Sequence, residues 1–331
     1  MSSFVTTARP CLRAVLWMAP TLLLTACASA RPAGTASTPA SPGAAPAATA
    51  PAGAARPATG AAASTAKPAA TPKVTMATAK DGTRIAYEVT GTGPALMLVP
   101  GGGQVRSTWK DRGYVERLSK SFTVITLDLR GTGESDKPAK PGAFALDTML
   151  ADLTAVADAA KVQRFHVWGY GHGAAVARYL AARSDRVISA VLVGTTMGPP
   201  VEGMVRDAIL GMRAKWMPVI EAQAAGTLDR SKLTPGDIVA LDGGIIVSTL
   251  MLGSMVDYPV LEPGEIKAPT LWVIGAADAS AMENVKAYEP KLKGTAVTLK
   301  LLDGLSYSDS FSRIDTAMTA IEPFLKAQAG S

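Results

Sequence analysis

Six apolar runs of six to eight residues recur between residues 95 and 302, each closed by glycine, proline or a polar residue. Their length suits β-strands, and their lack of alternation indicates strands buried on both faces of a sheet. The runs are ALMLVP (95–100), FTVITLD (122–128), RFHVWG (164–169), VISAVLVG (187–194), TLWVIG (270–275) and AVTLKLL (296–302). Segments with apolar residues at helical spacing lie between them, which predicts a mostly parallel sheet covered by helices.

Two earlier segments, KVTMAT (73–78) and RIAYEVT (84–90), alternate apolar with polar residues and flank the turn KDG. This pattern predicts an antiparallel hairpin at one edge of the sheet. Together the patterns predict an α/β fold with eight strands, of which the first two are antiparallel. We expect this domain to cover residues 73–331.

Residues 199–266 interrupt the alternation, because they carry helical patterns and no clear strand. This segment follows the sixth predicted strand. An insertion at that point would close over the carboxyl edge of the sheet, where α/β proteins commonly bind ligands. We therefore predict a helical cap over about residues 199–266.

The N-terminal segment has the features of an export signal. Arg9 and Arg13 precede the apolar run AVLWMAPTLLL (14–24), which is too short to span a bilayer comfortably. The residues LTAC resemble a bacterial lipobox that ends at Cys27, whose sulfur would then carry a lipid. We predict a lipoprotein signal peptide over residues 1–26, with an ordinary signal peptide and an incidental cysteine as the alternative.

The next segment, residues 28–72, consists almost wholly of Ala, Pro, Thr, Ser and Gly. Such a composition has too little apolar bulk to offset chain entropy, so it predicts a disordered tether over residues 27–72. The protein is then expected to be lipid-anchored and extracytoplasmic in the bacterial cell envelope. Ala28 after the cysteine favours the outer membrane.

The formal net charge of +6 is modest, and no run of basic residues interleaved with aromatics occurs. A nucleic-acid partner is therefore not expected. The only histidines are His166 and His172. We expect no metal site and no cofactor, and the expected contact with a membrane is the lipid anchor at Cys27.

The turn GYGHG (169–173) follows the fifth predicted strand and opens a helix. Gly169, Gly171 and Ala174 formally match the dinucleotide-binding pattern G-x-G-x-x-G/A. That pattern belongs after the first strand of a βαβ unit, and no acidic residue for a ribose follows at the end of the next strand, so dinucleotide binding is disfavoured. The alternative is a G-x-S-x-G nucleophile elbow with Gly171 in the position of the serine.

Three more motifs support the elbow: LVPGGGQVRSTW (98–109), LDLRGTGESDKP (127–138) and APTLWVIGAAD (268–278). With them, the chain from about Val74 resembles the α/β-hydrolase superfamily, in the capped branch that includes esterases, enol-lactonases and proline iminopeptidases. The motifs are similar to that family's oxyanion loop, its D-x-R-G-x-G-x-S segment and its acid loop. The resemblance implies that Asp278 is the catalytic acid.

The same resemblance places the catalytic histidine at Leu305, so it implies a degenerate triad. Gly171 supplies no attacking atom and Leu305 supplies no base, and ester hydrolysis through an acyl-enzyme is not expected. The backbone N–H groups of Gly102 and His172 are expected to form an oxyanion-like pocket at a helix N-terminus. The His172 side chain is either a pocket residue or a packed histidine, and both interpretations stay open.

Four further side chains have expected roles. Asp278 should accept hydrogen bonds from loop N–H groups or from a hydroxyl such as that of Ser306, because a lone buried carboxylate is costly. His166 is expected to be a satisfied core residue. Asp128 and Arg130 are expected to serve as loop scaffold, with charges that pair locally.

These expectations lead to a binding or sensing module without catalysis, for a small apolar or carbonyl-bearing ligand. One alternative is an active esterase-like hydrolase or a lyase with displaced chemistry at His172. Another is a purely structural envelope protein, which would be favoured if cap side chains filled the cavity.

Overall fold

The computed structural model describes residues 73–330, so the predicted signal peptide (1–26) and tether (27–72), including Cys27, lie outside the described residues. Eight strands form a single sheet in the described part. They are β1 (Thr75–Thr78), β2 (Arg84–Thr90), β3 (Ala95–Val99), β4 (Thr123–Leu127), β5 (Phe165–Tyr170), β6 (Val187–Val193), β7 (Thr270–Gly275) and β8 (Val297–Leu302).

The strand order in the sheet is β1-β2-β4-β3-β5-β6-β7-β8. Strand β2 pairs antiparallel with both β1 and β4, and every other neighbouring pair is parallel. The predicted eight-stranded, mostly parallel sheet with antiparallel strands at one edge is therefore confirmed. Each predicted apolar run forms one strand.

Helices cover both faces of the sheet. They are α1 (Ser107–Asp111), α2 (Tyr114–Leu118), α3 (Leu146–Ala159), α4 (His172–Arg183), α5 (Gly203–Ala224), α6 (Pro235–Asp242), α7 (Ile245–Met255), α8 (Ala279–Tyr288), α9 (Asp309–Ser312) and α10 (Ile314–Ala329). One apolar core joins the sheet to α3, α4 and the insertion after β6, and a second joins it to α1, α2 and α10.

Helices α5, α6 and α7 lie between β6 and β7 and form the predicted helical cap. Helix α5 packs on α7 and buries one stripe of side chains, Ile209, Trp216 and Ile220. Helix α6 was not predicted, and it begins at Pro235 because the Thr234 hydroxyl accepts the N–H of Asp237. No single described helix is long and apolar enough to cross a membrane; α6 and α7 meet that test only as a pair, bent by 77° at their junction.

Helix α4 holds both ends of the cap. The buried Arg178 guanidinium donates hydrogen bonds to the carbonyl oxygens of Thr196 and Gly198, where the chain enters the cap. The neighbouring Tyr179 hydroxyl donates to the carbonyl oxygen of Pro259, where the chain leaves it. Because α4 begins at the GYGHG turn, one helix positions that turn and the cap together.

The loop after β4 is held by charged pairs with distant partners. Asp128 is fully buried and accepts hydrogen bonds from the side chain and the backbone N–H of Arg106. Arg130 is fully buried, makes a bidentate pair with Asp152 at 2.6 Å for both bonds, and also contacts Asp81. The expectation of local pairing was wrong, because these partners lie 22 to 49 residues away in sequence.

The variant Asp152→Ala should lower the free energy of unfolding by about 3 kcal/mol, because it leaves the buried Arg130 with only Asp81 as a counter-ion. The control is Asp158→Ala on the same helix, which breaks a pair with Arg186 whose carboxylate is 61% exposed and should cost less than about 1 kcal/mol. Urea denaturation measures both variants. Equal losses would contradict a structural role for the buried pair.

Candidate functional site

The GYGHG turn makes a sharp reversal from strand to helix. Strand β5 ends at Tyr170, Gly171 has φ 51° and ψ −116°, and α4 begins at His172. This backbone conformation is strained for a residue with a Cβ atom, and glycine relieves the strain. The turn therefore keeps the geometry of an elbow although its central residue has no side chain.

The phenol of Tyr307 fills the space above Gly171. An ideal Cβ atom on Gly171 would lie 2.2 Å from the Tyr307 hydroxyl oxygen, far inside van der Waals contact. The Tyr307 ring also lies against Gly194, just after β6, where an ideal Cβ would lie 2.7 Å from the ring carbon Cε2. A side chain at either glycine would require Tyr307 to move.

Tyr307 belongs to the loop between β8 and α9, where the resemblance placed the catalytic histidine. Its ring lies 5.0 Å from the ring of Tyr170, which itself stacks on Phe311 at 4.4 Å. Burial around the hydroxyl raises the pKa of Tyr307; the Tyr170 hydroxyl opposes this rise and the Asp278 carboxylate adds to it. A phenol is already neutral at pH 7 at its ordinary pKa, and the rise moves the pKa further from 7, so Tyr307 can donate a hydrogen bond.

Leu305 is buried in the second core, with 4% of its surface exposed. Its carbonyl oxygen accepts the N–H of Ala277 at 2.9 Å, which joins the loop after β8 to the loop after β7. Leu305, at the position expected for a histidine, thus packs in the core. Tyr307, two residues later, contacts the elbow instead. Tyr307 was not predicted from the sequence. The signal that could have found it is that it is the only aromatic residue in the small, polar stretch SYSDS (306–310).

Asp278 caps helix α8. Its half-buried carboxylate accepts the N–H of Ala281 at 3.1 Å, which is a partner of the expected kind. Ser306 was the other expected partner, but its hydroxyl donates to Asp309 at 2.7 Å. The Asp278 carboxylate also adds to the raised pKa of Tyr307.

Gly102 and His172 adjoin beneath the cap. An ideal Cβ on Gly102 would lie 3.5 Å from the Cβ of His172, 3.6 Å from Leu252 and 3.7 Å from Met251. The last two residues belong to α7, so this cap helix covers the expected oxyanion-like pair with apolar side chains. The space beside the elbow is apolar on its cap side.

His172 is 6% exposed, and neither of its ring nitrogens has a hydrogen-bond partner among residues 73–330. Burial lowers the pKa of His172 to about 4, so the imidazole is neutral at pH 7. A neutral imidazole offers one donor and one acceptor to anything that reaches it. Its burial agrees with the interpretation as a packed histidine, and its unpartnered nitrogens agree with the interpretation as a pocket residue.

His166 differs from His172 in having a partner. It is fully buried in β5, and its Nδ1 lies 2.8 Å from the Ser189 hydroxyl, while its Nε2 has no partner within the described chain. Burial, assisted by Arg164, lowers its pKa to about 4. The expectation of a satisfied core histidine holds for one ring nitrogen and was wrong for the other.

Two grooves involve the cap: the first lies within it, and the second lies between it and the segment before α3. One of about 570 Å³ is lined by residues such as Arg206 and Met217, and one of about 210 Å³ includes Phe144 and Thr249. Gly171 lines neither groove. Across residues 73–330 there is no cluster of three or more His, Cys, Asp or Glu side chains that could hold a metal ion.

Introducing a serine at the elbow should be costly because of Tyr307. We expect Gly171→Ser to lower stability, and the cost to fall by at least about 1 kcal/mol in a Tyr307→Ala background, where the colliding hydroxyl is absent. The control is Gly103→Ser, since Gly103 also has a positive φ, 76°, but open space around it. Denaturation of the four-member cycle measures this coupling, and an equal cost in both backgrounds would refute the steric exclusion.

The two histidines should make stability depend on pH between 7 and 5. Their pKa of about 4 in the folded protein lies below the ordinary 6.5, so the unfolded chain binds more protons in this range and stability falls as the pH falls. Each histidine contributes about 2 kcal/mol of loss from pH 7 to pH 5. The variant His172→Phe should lose about half as much as the unchanged protein, and an undiminished loss would contradict burial of a neutral His172.

A family model described as the alpha/beta hydrolase fold matches residues 94–219. Among curated relatives, an uncharacterized protein of Mycobacterium tuberculosis is 32% identical over 139 residues, which cover 42% of this chain and 38% of that protein. Epoxide hydrolase 3 of Siraitia grosvenorii is 28% identical over 108 residues, which cover 32% of this chain and 34% of that protein. The matching part thus spans less than two-fifths of the length of either relative.

Solved structures match over a larger share of the chain. An esterase from Thermogutta terrifontis has a TM-score of 0.61 at 22% identity, covering 78% of this chain and 99% of that one. An enol-lactonase from Burkholderia xenovorans has a TM-score of 0.55 at 24% identity, covering 76% and 100%. The chain therefore has the α/β-hydrolase fold, and its residues 94–219 are similar to the family model of that description.

Proposed function

We propose that the protein is a binding or sensing module without hydrolytic activity, for a small apolar or carbonyl-bearing ligand. The observation that carries this proposal is the Tyr307 hydroxyl oxygen, 2.2 Å from the position of any Cβ at Gly171. Acyl transfer needs an attacking atom at that place and a base beside it. A neutral phenol and a buried Leu305 supply neither.

The remaining groups suit recognition. His172 is a desolvated neutral imidazole whose ring nitrogens have no partner in the described domain. A buried polar group without a partner is costly, and a ligand that supplies a hydrogen bond recovers that cost. Met251 and Leu252 of the cap offer an apolar surface beside it. A carbonyl or hydroxyl group on an otherwise apolar molecule meets both requirements.

We propose that this module is exported and tethered to a membrane by a lipid on Cys27. The support is the sequence pattern alone: two arginines, an apolar run, LTAC, and then the Ala- and Pro-rich segment of residues 28–72. Under this proposal the domain works in the bacterial cell envelope, at the outer membrane, on ligands outside the cytoplasm.

The free nitrogens of His172 favour one alternative, a reaction in which this imidazole moves a proton. A solved structure titled as the bottromycin epimerase BotH in complex with Bottromycin A2 has the same fold, with a TM-score of 0.57 at 22% identity. A hydrolase or lyase with displaced chemistry of this kind would lose its turnover in His172→Ala. The purely structural alternative gains support from Tyr307 and from Met251 and Leu252, which occupy space beside the elbow.

The proposal predicts binding without turnover. A fluorophosphonate probe should label no serine, and p-nitrophenyl butyrate should be hydrolysed no faster than in buffer. In thermal denaturation, 2-octanone should raise the melting temperature more than octane does, because the ketone oxygen can accept a hydrogen bond from His172. The His172→Phe variant should lose the difference between the two probes.

The control variant is Thr249→Val, because the Thr249 hydroxyl is also buried without a partner in the described domain but lines the groove of about 210 Å³, which does not include His172. It should keep the difference between ketone and hydrocarbon. Labelling by the fluorophosphonate or ester turnover would refute the absence of hydrolysis. Equal responses to 2-octanone and octane in the unchanged protein would refute recognition at His172 and favour the structural alternative.

A further inference from the structure

Tyr307 occupies a slot that two glycines leave open. Gly171 and Gly194 have positive φ angles, 51° and 67°, and neither has the Cβ atom that would enter the slot. Gly171 leaves room for the phenol oxygen, at 2.2 Å from its ideal Cβ position, and Gly194 leaves room for the ring edge, at 2.7 Å. The slot thus has the outline of a phenol, with a defined end for the oxygen.

The side chain that fills this slot is incompletely buried. Of the Tyr307 surface, 42% is exposed, whereas the core aromatics Trp109 and Trp168 are at most 1% exposed. The apolar contribution to holding a side chain scales with the area removed from water, so Tyr307 is held more weakly than those residues. Its loop is short and polar, and the Ser306 hydroxyl bonds to Asp309 within the same loop.

The position of the phenol oxygen would suit the oxygen atom of a ligand. The oxygen lies at the N-terminus of α4, the positive end of the helix dipole, beside the backbone of Gly171. Such a position favours an atom with partial negative charge, as on a phenol or an aryl ketone.

We propose that Tyr307 is a built-in occupant of the binding slot, an autoinhibitory contact that the ligand displaces, and that the ligand carries a flat aromatic group with an oxygen atom at its tip. This inference rests on the proposed binding function and specifies its ligand class. It also assigns a role to the glycine at the elbow: Gly171 is the floor of an aromatic slot.

Phenol tests the slot, with benzene as the matched probe that lacks the oxygen. The Tyr307→Ala variant should bind phenol at least about tenfold more tightly than the unchanged protein, because the competing side chain is gone. It should also bind phenol more tightly than benzene, because the oxygen meets the helix N-terminus. Isothermal titration calorimetry measures all four affinities.

Two second substitutions block the slot in the Tyr307→Ala background. Gly171→Ala puts a methyl group where the oxygen lies, and Gly194→Ala puts one against the ring, so each should abolish the gain in phenol affinity. Gly103→Ala is the control, because Gly103 has a positive φ but nothing within 4 Å of its ideal Cβ position, and it should keep the gain. No gain in Tyr307→Ala, or a gain that survives both blocking substitutions, would overturn the proposal.

Displacement itself is measured in the protein with its tyrosine in place. With 3-fluorotyrosine incorporated, the ¹⁹F resonance that disappears in Tyr307→Phe belongs to Tyr307. Saturating phenol should shift this resonance, and an unchanged resonance at saturation would refute displacement. The proposed function and the autoinhibitory contact can fail independently. Ester turnover would refute the absence of hydrolysis but not the contact. Ketone binding that depends on His172, with no shift of the Tyr307 ¹⁹F resonance, would refute only the contact.

Discussion

A phenol oxygen and the side chain of a nucleophile cannot occupy the same volume, and the site at the elbow depends on that exclusion. Tyr307 can lie over the turn only because Gly171 has no Cβ atom, and its ring fits only because Gly194 also lacks one. Although 42% of the Tyr307 surface is exposed, its hydroxyl oxygen and one ring edge occupy the space that the two missing Cβ atoms leave. The glycines and the tyrosine are therefore one packing unit, contributed by three separate loops.

The electrostatic design of the site follows from the same packing. Burial lowers the pKa of His172 and raises that of Tyr307, so both side chains are neutral at pH 7 and offer neutral donors and acceptors beside the elbow. The buried charges lie elsewhere: Arg106 with Asp128, and Arg130 with Asp152, hold the loop after β4. A neutral, desolvated site favours uncharged ligands, because an ion would lose its hydration without gaining a counter-ion.

The strands could be predicted from sequence because a continuous apolar run is a local signal, and β2 and β7 have the predicted bounds at both ends. The elbow could be predicted for the same reason, since GYGHG follows one such run. Tyr307 could not, because its neighbour Tyr170 lies 137 residues away in sequence. The partners of Arg130 were also missed, because contacts between residues distant in sequence decide them. The short helix α6 was missed because its start depends on one capping hydroxyl, that of Thr234.

Leu305 shows why the departures at this site belong together. Its side chain is buried in the second apolar core, where an imidazole would be desolvated as His166 and His172 are, and its carbonyl oxygen ties the loop to the one that carries Asp278. With Leu305 held inward, the loop continues through Ser306 and places Tyr307 over the elbow. Leu305 thus anchors the loop in the core. Tyr307 is the residue of the loop that contacts the elbow, and Gly171 is the residue that it contacts. A change at one of these positions alters the fit of the other two, so the three departures form one coupled packing arrangement rather than three independent losses.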